Sequence, residues 1–350
     1  MLKPEPTRIE PIFSERLWGS NSLAPLYPEK IDIAEPIGEA WLTGVDCRIG
    51  TGPFASKKLG DAWLEMPPDW RGSNFSEPSD FPLLVKFIFP TDKLSIQVHP
   101  DDDYASAHEQ AAGGRGKTEM WHIVSAQPGA QLLAGLKPGV TKEKFLSSLS
   151  DHSLEDLFQA HLVKAGDTFF IPAGTPHTIG ANMVVFEVQE YSDLTYRIYD
   201  YGRVDSHGKP RELHVQKALE VISFDPSKGA RVTSFSLPEA GVDRSLLAAC
   251  PYFATERIEF AGRYKFHPGP EHFELVVILE GRGNLAWPST AARYNAGECW
   301  FIPASLATAS LHALTPTTII RTYVPNLTAL QESLHADGFS ASAIAQTTFP

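Results

Sequence analysis

The sequence predicts an all-β fold, β-rich with a few peripheral helices, arranged as two related β-barrel modules. Short β-branched and aromatic runs recur along the chain, among them LLVKFIF, KLSIQVH, EMWHIV, GDTFFIP, NMVVFEVQE, FELVVIL and TTIIRTYV. The 26 Gly and 28 Pro lie between these runs as turn punctuation rather than in one linker, which is the pattern of a sandwich or barrel. A unit also repeats: KAGDTFFIPAGTPHTI at 164–179 matches NAGECWFIPASLATAS at 295–310. Upstream of each copy lies a second matching pair, TEMWHIV from Thr118 and FELVVIL from Phe273. Two segments matching in the same order mark a duplicated strand–turn–strand unit.

Taken in order, PLLVKFIF (82–89) and LSIQVH (94–99) read as strands, and DYASAHEQAA (103–112) opens after a Pro/Asp cluster as a helix should. After the strand EMWHIV, TKEKFLSSLS (141–150) and SLEDLFQAHL (153–162) carry helical patterns. The strands GDTFFIP and NMVVFEVQE follow, then a helix in ELHVQKALEVI (212–222). The stretch DPSKGARVTSFSLPEAG suggests a boundary near 230–240, giving a module over 1–235 with N-terminal strands and short helices, and another over 236–350.

Composition narrows the function. A hydrophobic content of 43% with 11% aromatic residues supports a packed interior, and 21% charged residues argues against disorder. A net charge of −12 without a Lys/Arg run disfavours nucleic acid or an anionic membrane surface as partner. A local cluster of cations still suits an anionic small substrate. Cys47, Cys250 and Cys299 are far apart and form no CxxC pair, which fits a reducing cytoplasm rather than a disulfide framework. The opening MLKPEPTRIEP lacks the apolar core of a signal peptide, and the apolar runs are too short to span a bilayer.

One constellation carries chemistry. Gln97 and His99 stand two apart on a strand and share a face. Glu119 follows at the expected start of another strand, and His177 lies in a Pro/Gly-rich turn that would present its imidazole at a barrel mouth. Two His, one Glu and one Gln offer nitrogen and oxygen ligands suited to Zn²⁺ or a similar divalent ion, with room left for water or substrate.

The blocks LSIQVHPDDDY, GKTEMW, IPAGTPHTIG and EVQEYSDLTYRIYDYGR, with ERLWG (15–19) and GEAWLTG (38–44), together resemble the type I mannose-6-phosphate isomerases. The similarity is good over 10–215 and looser in the C-terminal third. It implies cupin-like β-barrel, or jelly-roll, modules and one zinc per chain held by Gln97, His99, Glu119 and His177. It implies an aldose–ketose isomerase interconverting mannose 6-phosphate and fructose 6-phosphate through an enediol, a monomer or homodimer whose partner is a small sugar phosphate. Glu119 and His177 are 58 positions apart (177 − 119), so the helical insertion of larger members is absent and the chain resembles the compact bacterial form.

The same resemblance places Lys117, Glu187, Asp193 and Arg197 at active-site positions. Ser95 and Arg203 fall where phosphate contacts are expected, although Arg203 also reads as a surface residue of a YGR turn. Lys86 is either an inward-facing cation or a snorkelling edge residue. Alternatives are another metal-dependent cupin enzyme, such as an Fe(II) oxygenase, and a non-catalytic sugar-binding cupin. The Gln97 ligand and the Lys117, Arg197 and Arg203 cations favour an anionic sugar. In the second copy Thr308 stands opposite His177 and only Glu274 matches a ligand, so that module is expected to hold no metal.

Overall fold

Four antiparallel sheets form the molecule, described by a computed structural model over residues 2–350 except 76, 78, 152, 205, 206 and 267. A six-stranded sheet runs Thr168–Ile171, Glu119–Ala126, Met183–Glu190, Leu83–Ile88, Ile37–Trp41, Ile12–Ser20. Its inner face meets a five-stranded sheet whose adjacent strands include Tyr196–Tyr199, Ile96–Val98 and His177–Ile179. Trp121, Ile123 and Val185 from the first sheet pack with Leu132, Ala134 and Ile179 from the second.

The outer face of the six-stranded sheet is buried too. Val85, Phe87, Met120, Phe186 and Val188 pack against Leu275, Val277, Phe301 and Ile320 of an eight-stranded sheet. This explains why Leu83–Ile88 reads as an unbroken apolar run: every residue in it is buried, on one face or the other. A four-stranded sheet covers the far side of the eight-stranded one, with Tyr264, Leu285 and Leu311 against Val276, Trp300 and Ile319. The fold is thus β-rich, as the sequence predicts, and its sheets are stacked in layers.

The repeat is visible as register. Glu119 pairs with Ile171 in the first copy, and Glu274 pairs with Ile302 in the second. Phe235–Leu237 opens the second set of strands, near the expected boundary. The first strand reaches across the sequence, because Thr7–Glu10 pairs with Cys299–Ile302 and, on its other side, with Arg48–Ile49. The N-terminus is therefore stitched into the sheet of the second module.

Three helices fall where the pattern predicts, at Asp102–His108, Lys142–Asp151 and Val215–Val221. SLEDLFQAHL does not form a helix. Only a 3₁₀ turn at Leu154–Leu157 forms, and Phe158–Leu162 then joins the five-stranded sheet beside Gln131–Leu136. Among the described residues no helix is long and apolar enough to cross a membrane.

Candidate active site

The site lies between the six- and five-stranded sheets, and strand pairing sets its rows. Across the five-stranded sheet, Arg197, Gln97 and His177 stand side by side. Across the six-stranded sheet, Lys86, Glu187 and Trp121 form the facing row, with Glu119 opening its strand.

The ligand-capable atoms of His99, Glu119 and His177 lie within 4.8 Å of one another, and all three residues are buried. His99 Nδ1 hydrogen-bonds the Leu194 carbonyl at 2.8 Å, and His177 Nδ1 bonds the Thr175 carbonyl at 2.8 Å. Each bond places the ring proton on Nδ1 and leaves Nε2 as the inward lone pair. His99 Nε2 is 3.1 Å from one Glu119 oxygen and His177 Nε2 is 3.9 Å from the other. Gln97 adds its carboxamide 3.3 Å from His177 Nε2. His177 opens a strand and is fully buried, rather than standing in a turn at a barrel mouth as expected.

Electrostatics suit a cation. Burial, then the nearby Lys117, hold His99 below the usual imidazole range, and burial pushes His177 down to about 3. Burial alone would raise Glu119, but Lys117 and His99 outweigh it and keep the carboxyl well below its ordinary value. Two neutral imidazoles and an ionised carboxylate are the protonation states a divalent ion requires. One Glu119 oxygen meets the Lys117 ammonium, while Oε2 is buried without a hydrogen-bond partner, a deficit that a metal would remove.

A cavity of about 420 Å³ opens beside these ligands, lined by Ser95, Gln97, Lys117, Glu187, Asp193 and Arg197. A larger one, of about 560 Å³, lies between the modules among Leu26, Val124 and Val184, without such a convergence of ionisable groups. Lys117 Nζ sits 2.5 Å from Glu119 and 3.3 Å from His99 Nε2. Burial would lower its pKa, but Glu119 and Glu187 raise it, so the ammonium stays charged. Glu187 accepts from Trp121 Nε1 at 3.0 Å and faces Lys86 Nζ at 3.6 Å. Burial first, then the Glu119 charge, push its carboxyl up to about 7. Lys86 is the inward-facing cation of the two alternatives, 3.8 Å from the mostly exposed Asp193.

Arg203 is not among the cavity's lining residues. Its guanidinium bonds Asp200 at 2.7 Å and the Lys93 carbonyl at 2.6 Å. Arg211 lines the cavity instead, its Nε held by the other Asp200 oxygen at 2.8 Å. Arg197 also lines it, as expected of an active-site position, and its Nη1 donates to the Glu212 carbonyl at 3.0 Å. The sequence reading missed Arg211, Arg16 and Glu39. Arg16 Nη2 bonds Glu39 at 2.6 Å at the cavity edge. The ERLWG and GEAWLTG blocks contain both residues, and GKPRELH contains Arg211, but none carries a spacing signal of its own.

The profile of the phosphomannose isomerase type I catalytic domain matches residues 7–125. Mannose-6-phosphate isomerase ManA of Bacillus subtilis (strain 168) is 33% identical over 306 residues, 86% of this chain and 94% of that protein. Mannose-6-phosphate isomerase of Streptococcus mutans is 32% identical, covering 80% and 87% of the two chains. The crystal structure of the mannose 6-phosphate isomerase from Bacillus subtilis superposes with a TM-score of 0.83 at 28% identity, over 91% of this chain and 99% of that one. A zinc-bound mannose 6-phosphate isomerase structure shares the fold at a TM-score of 0.69 and 16% identity, over 91% and 99%. Sequence similarity over most of the chain and the shared fold agree with the clustered His, Glu and His side chains: this chain belongs to the type I mannose-6-phosphate isomerase family.

Proposed function

We propose that the protein interconverts mannose 6-phosphate and fructose 6-phosphate, and that the buried His99–Glu119–His177 cluster beside a cation-lined cavity carries the reaction. The metal is zinc, one per chain, held by these three residues, with Gln97 as a fourth ligand once its amide turns its oxygen inward. When bound, zinc supplies Lewis-acid polarisation of the sugar carbonyl and offsets the negative charge that develops on its oxygen.

The chain's own groups do the rest. Burial and the Glu119 charge raise the Glu187 carboxyl above its ordinary value, which suits a group that accepts and returns a proton, as transfer between C1 and C2 requires. Trp121 and Lys86 fix its two oxygens. Lys117, kept cationic, stabilises charge on the enediol oxygens, while Arg197 projects from the opposite sheet toward the same space. Asp193 stands at the rim beside Lys86. Ser95 and Arg211 bind the phosphate, and Arg203 orients Arg211 through their shared Asp200.

Each module reads as cupin-like, with 1–235 supplying the site and 236–350 supporting it. The protein works as a monomer or homodimer. Three buried thiols without a disulfide fit a cytoplasmic setting. The direct test is a coupled assay of the purified protein with mannose 6-phosphate. Turnover should vanish in chelator and return with zinc, and turnover that persists in metal-free protein would sink the metal assignment.

A further inference from the structure

The segment that carries Lys117 into Glu119 is held from several sides. The Gly116 N–H donates to Asp102 Oδ1 at 2.8 Å, and the Thr118 N–H donates to Glu190 at 2.7 Å. The Lys117 N–H reaches the Pro100 carbonyl at 3.0 Å. Gly116 packs so closely on the start of the Asp102–His108 helix that a Cβ there would stand 2.5 Å from the Asp102 nitrogen. Asp102 is therefore the post against which this segment rests.

Asp102 is itself held from outside its module. Its second oxygen accepts from the Tyr252 hydroxyl at 3.0 Å. Tyr252 lies in the turn joining strands Asp243–Ala249 and Ala254–Phe260 of the eight-stranded sheet, a turn closed by the Cys250 N–H bonding the Phe253 carbonyl at 2.8 Å. Its ring packs against the apolar core shared by the modules. A continuous chain of contacts thus runs from the C-terminal module through one carboxylate to the residue beside the metal ligands.

We infer that Tyr252 is a positioning residue of the active site: its hydroxyl fixes Asp102, and Asp102 fixes the Gly116–Glu119 segment that sets Lys117 against Glu119 and His99. This rests on the active-site reading above. Removing the hydroxyl takes away the donor that holds Asp102 Oδ2. The segment it supports then loses one of its fixed points, and a misplacement of about 1 Å can cost about 10²-fold in rate. The loss falls on kcat, because Tyr252 does not line the cavity in which the substrate would bind.

The test uses the zinc-loaded full chain with mannose 6-phosphate as substrate, comparing wild type with Tyr252→Phe, Asp102→Asn and the double variant. Tyr252→Phe keeps the ring in the core, and Asp102→Asn keeps an acceptor for Gly116. Each single variant should lower kcat by about 3–10-fold at near wild-type KM and zinc content. The double variant should fall no further than the worse single one, because both act through one contact. Val277→Ala, buried in the same inter-module core, should lower Tm and leave kcat within about twofold. A Tyr252→Phe kcat within about twofold of wild type, or losses that multiply in the double variant, overturns the inference. If Tyr252→Phe does not fold, Asp102→Asn alone is judged by the same kcat threshold. Absence of turnover in wild type would overturn the isomerase reading instead, which keeps the two failures apart.

Discussion

Arg211 holds both oxygens of Asp200 and Arg203 shares one of them, yet of the two only Arg211 lines the cavity. Arg211→Ala should therefore raise KM for mannose 6-phosphate by about 10–100-fold, the factor that about 1.5–3 kcal/mol of charge-assisted hydrogen bonding represents. Arg203→Ala, acting one residue further away, should raise it less, and steady-state kinetics showing the reverse order would exchange the two roles. Glu187→Gln is expected to lower kcat by about 10²–10⁴-fold with little change in KM. The same residue has a pH signature in the metal-free protein. Its folded pKa, about 7, lies above the ordinary carboxyl value of 4.5, so ionising it in the fold costs stability. That cost is absent below about pH 4.5 and complete above about pH 7, at roughly 3 kcal/mol for the 2.5-unit difference between 7 and 4.5. Glu187→Gln should then match wild type in Tm near pH 4.5 and exceed it at pH 8, and calorimetry giving an equal difference at both pH values would remove the premise.

At the scale of elements, the turn before His177 joins three pieces of structure. The Gly174 N–H donates to the His99 carbonyl at 2.8 Å, and its own carbonyl accepts from the Ser223 N–H, just past the helix Val215–Val221, at 2.8 Å. Its φ of +82° is left-handed, and a Cβ would stand 2.8 Å from the Val221 carbonyl. Gly174→Ala should cost about 1–3 kcal/mol and weaken zinc binding by shifting both histidines; unchanged zinc affinity with a lowered Tm would uncouple the turn from the ligands. The Pro/Gly-rich turn was legible because turn chemistry is a local rule, whereas Gln97, His99, Glu119 and His177 stood out only together, through the family resemblance of the blocks that carry them. SLEDLFQAHL was misread for a physical reason. Leu154, Leu157, Phe158 and Leu162 have helical spacing, but the edge of the five-stranded sheet captures Phe158–Leu162 and leaves Leu162 68% exposed, so tertiary pairing overrides the pattern. Arg211 and Arg16 were illegible because a cation's direction in a polar turn or an edge strand is set by distant partners such as Asp200 and Glu39.

Across the whole molecule, the duplicated unit keeps its lattice and exchanges its charges. Lys86 pairs with Glu187 in the first copy, whereas Glu256 pairs with Arg321 at the matching places in the second. Arg321 Nε stands 3.6 Å from Glu256 and 3.8 Å from Glu274, the counterpart of the ligand Glu119, so a guanidinium already balances the carboxylate that a metal would need. Glu274→Gln should accordingly leave zinc at one per chain by elemental analysis. Glu256→Gln should destabilise by about 1.5–3 kcal/mol, because it removes the carboxylate shared by Arg244 and Arg321 and leaves them with Glu239 and Glu274. A guanidinium thus stands beside the second-copy carboxylate, and the eight-stranded sheet gives the six-stranded one a surface to fold against. A fragment ending at residue 235 would lose Cys299–Ile302, the partner strand of Thr7–Glu10, and would bare Val85, Phe87, Met120, Phe186 and Val188 to water. Each such side chain accounts for about 1.5–3 kcal/mol of burial, so together they approach the entire stability of an ordinary domain. That fragment is therefore expected to show no cooperative thermal transition and no isomerase activity, and a folded, active fragment would mean that the catalytic barrel needs no partner.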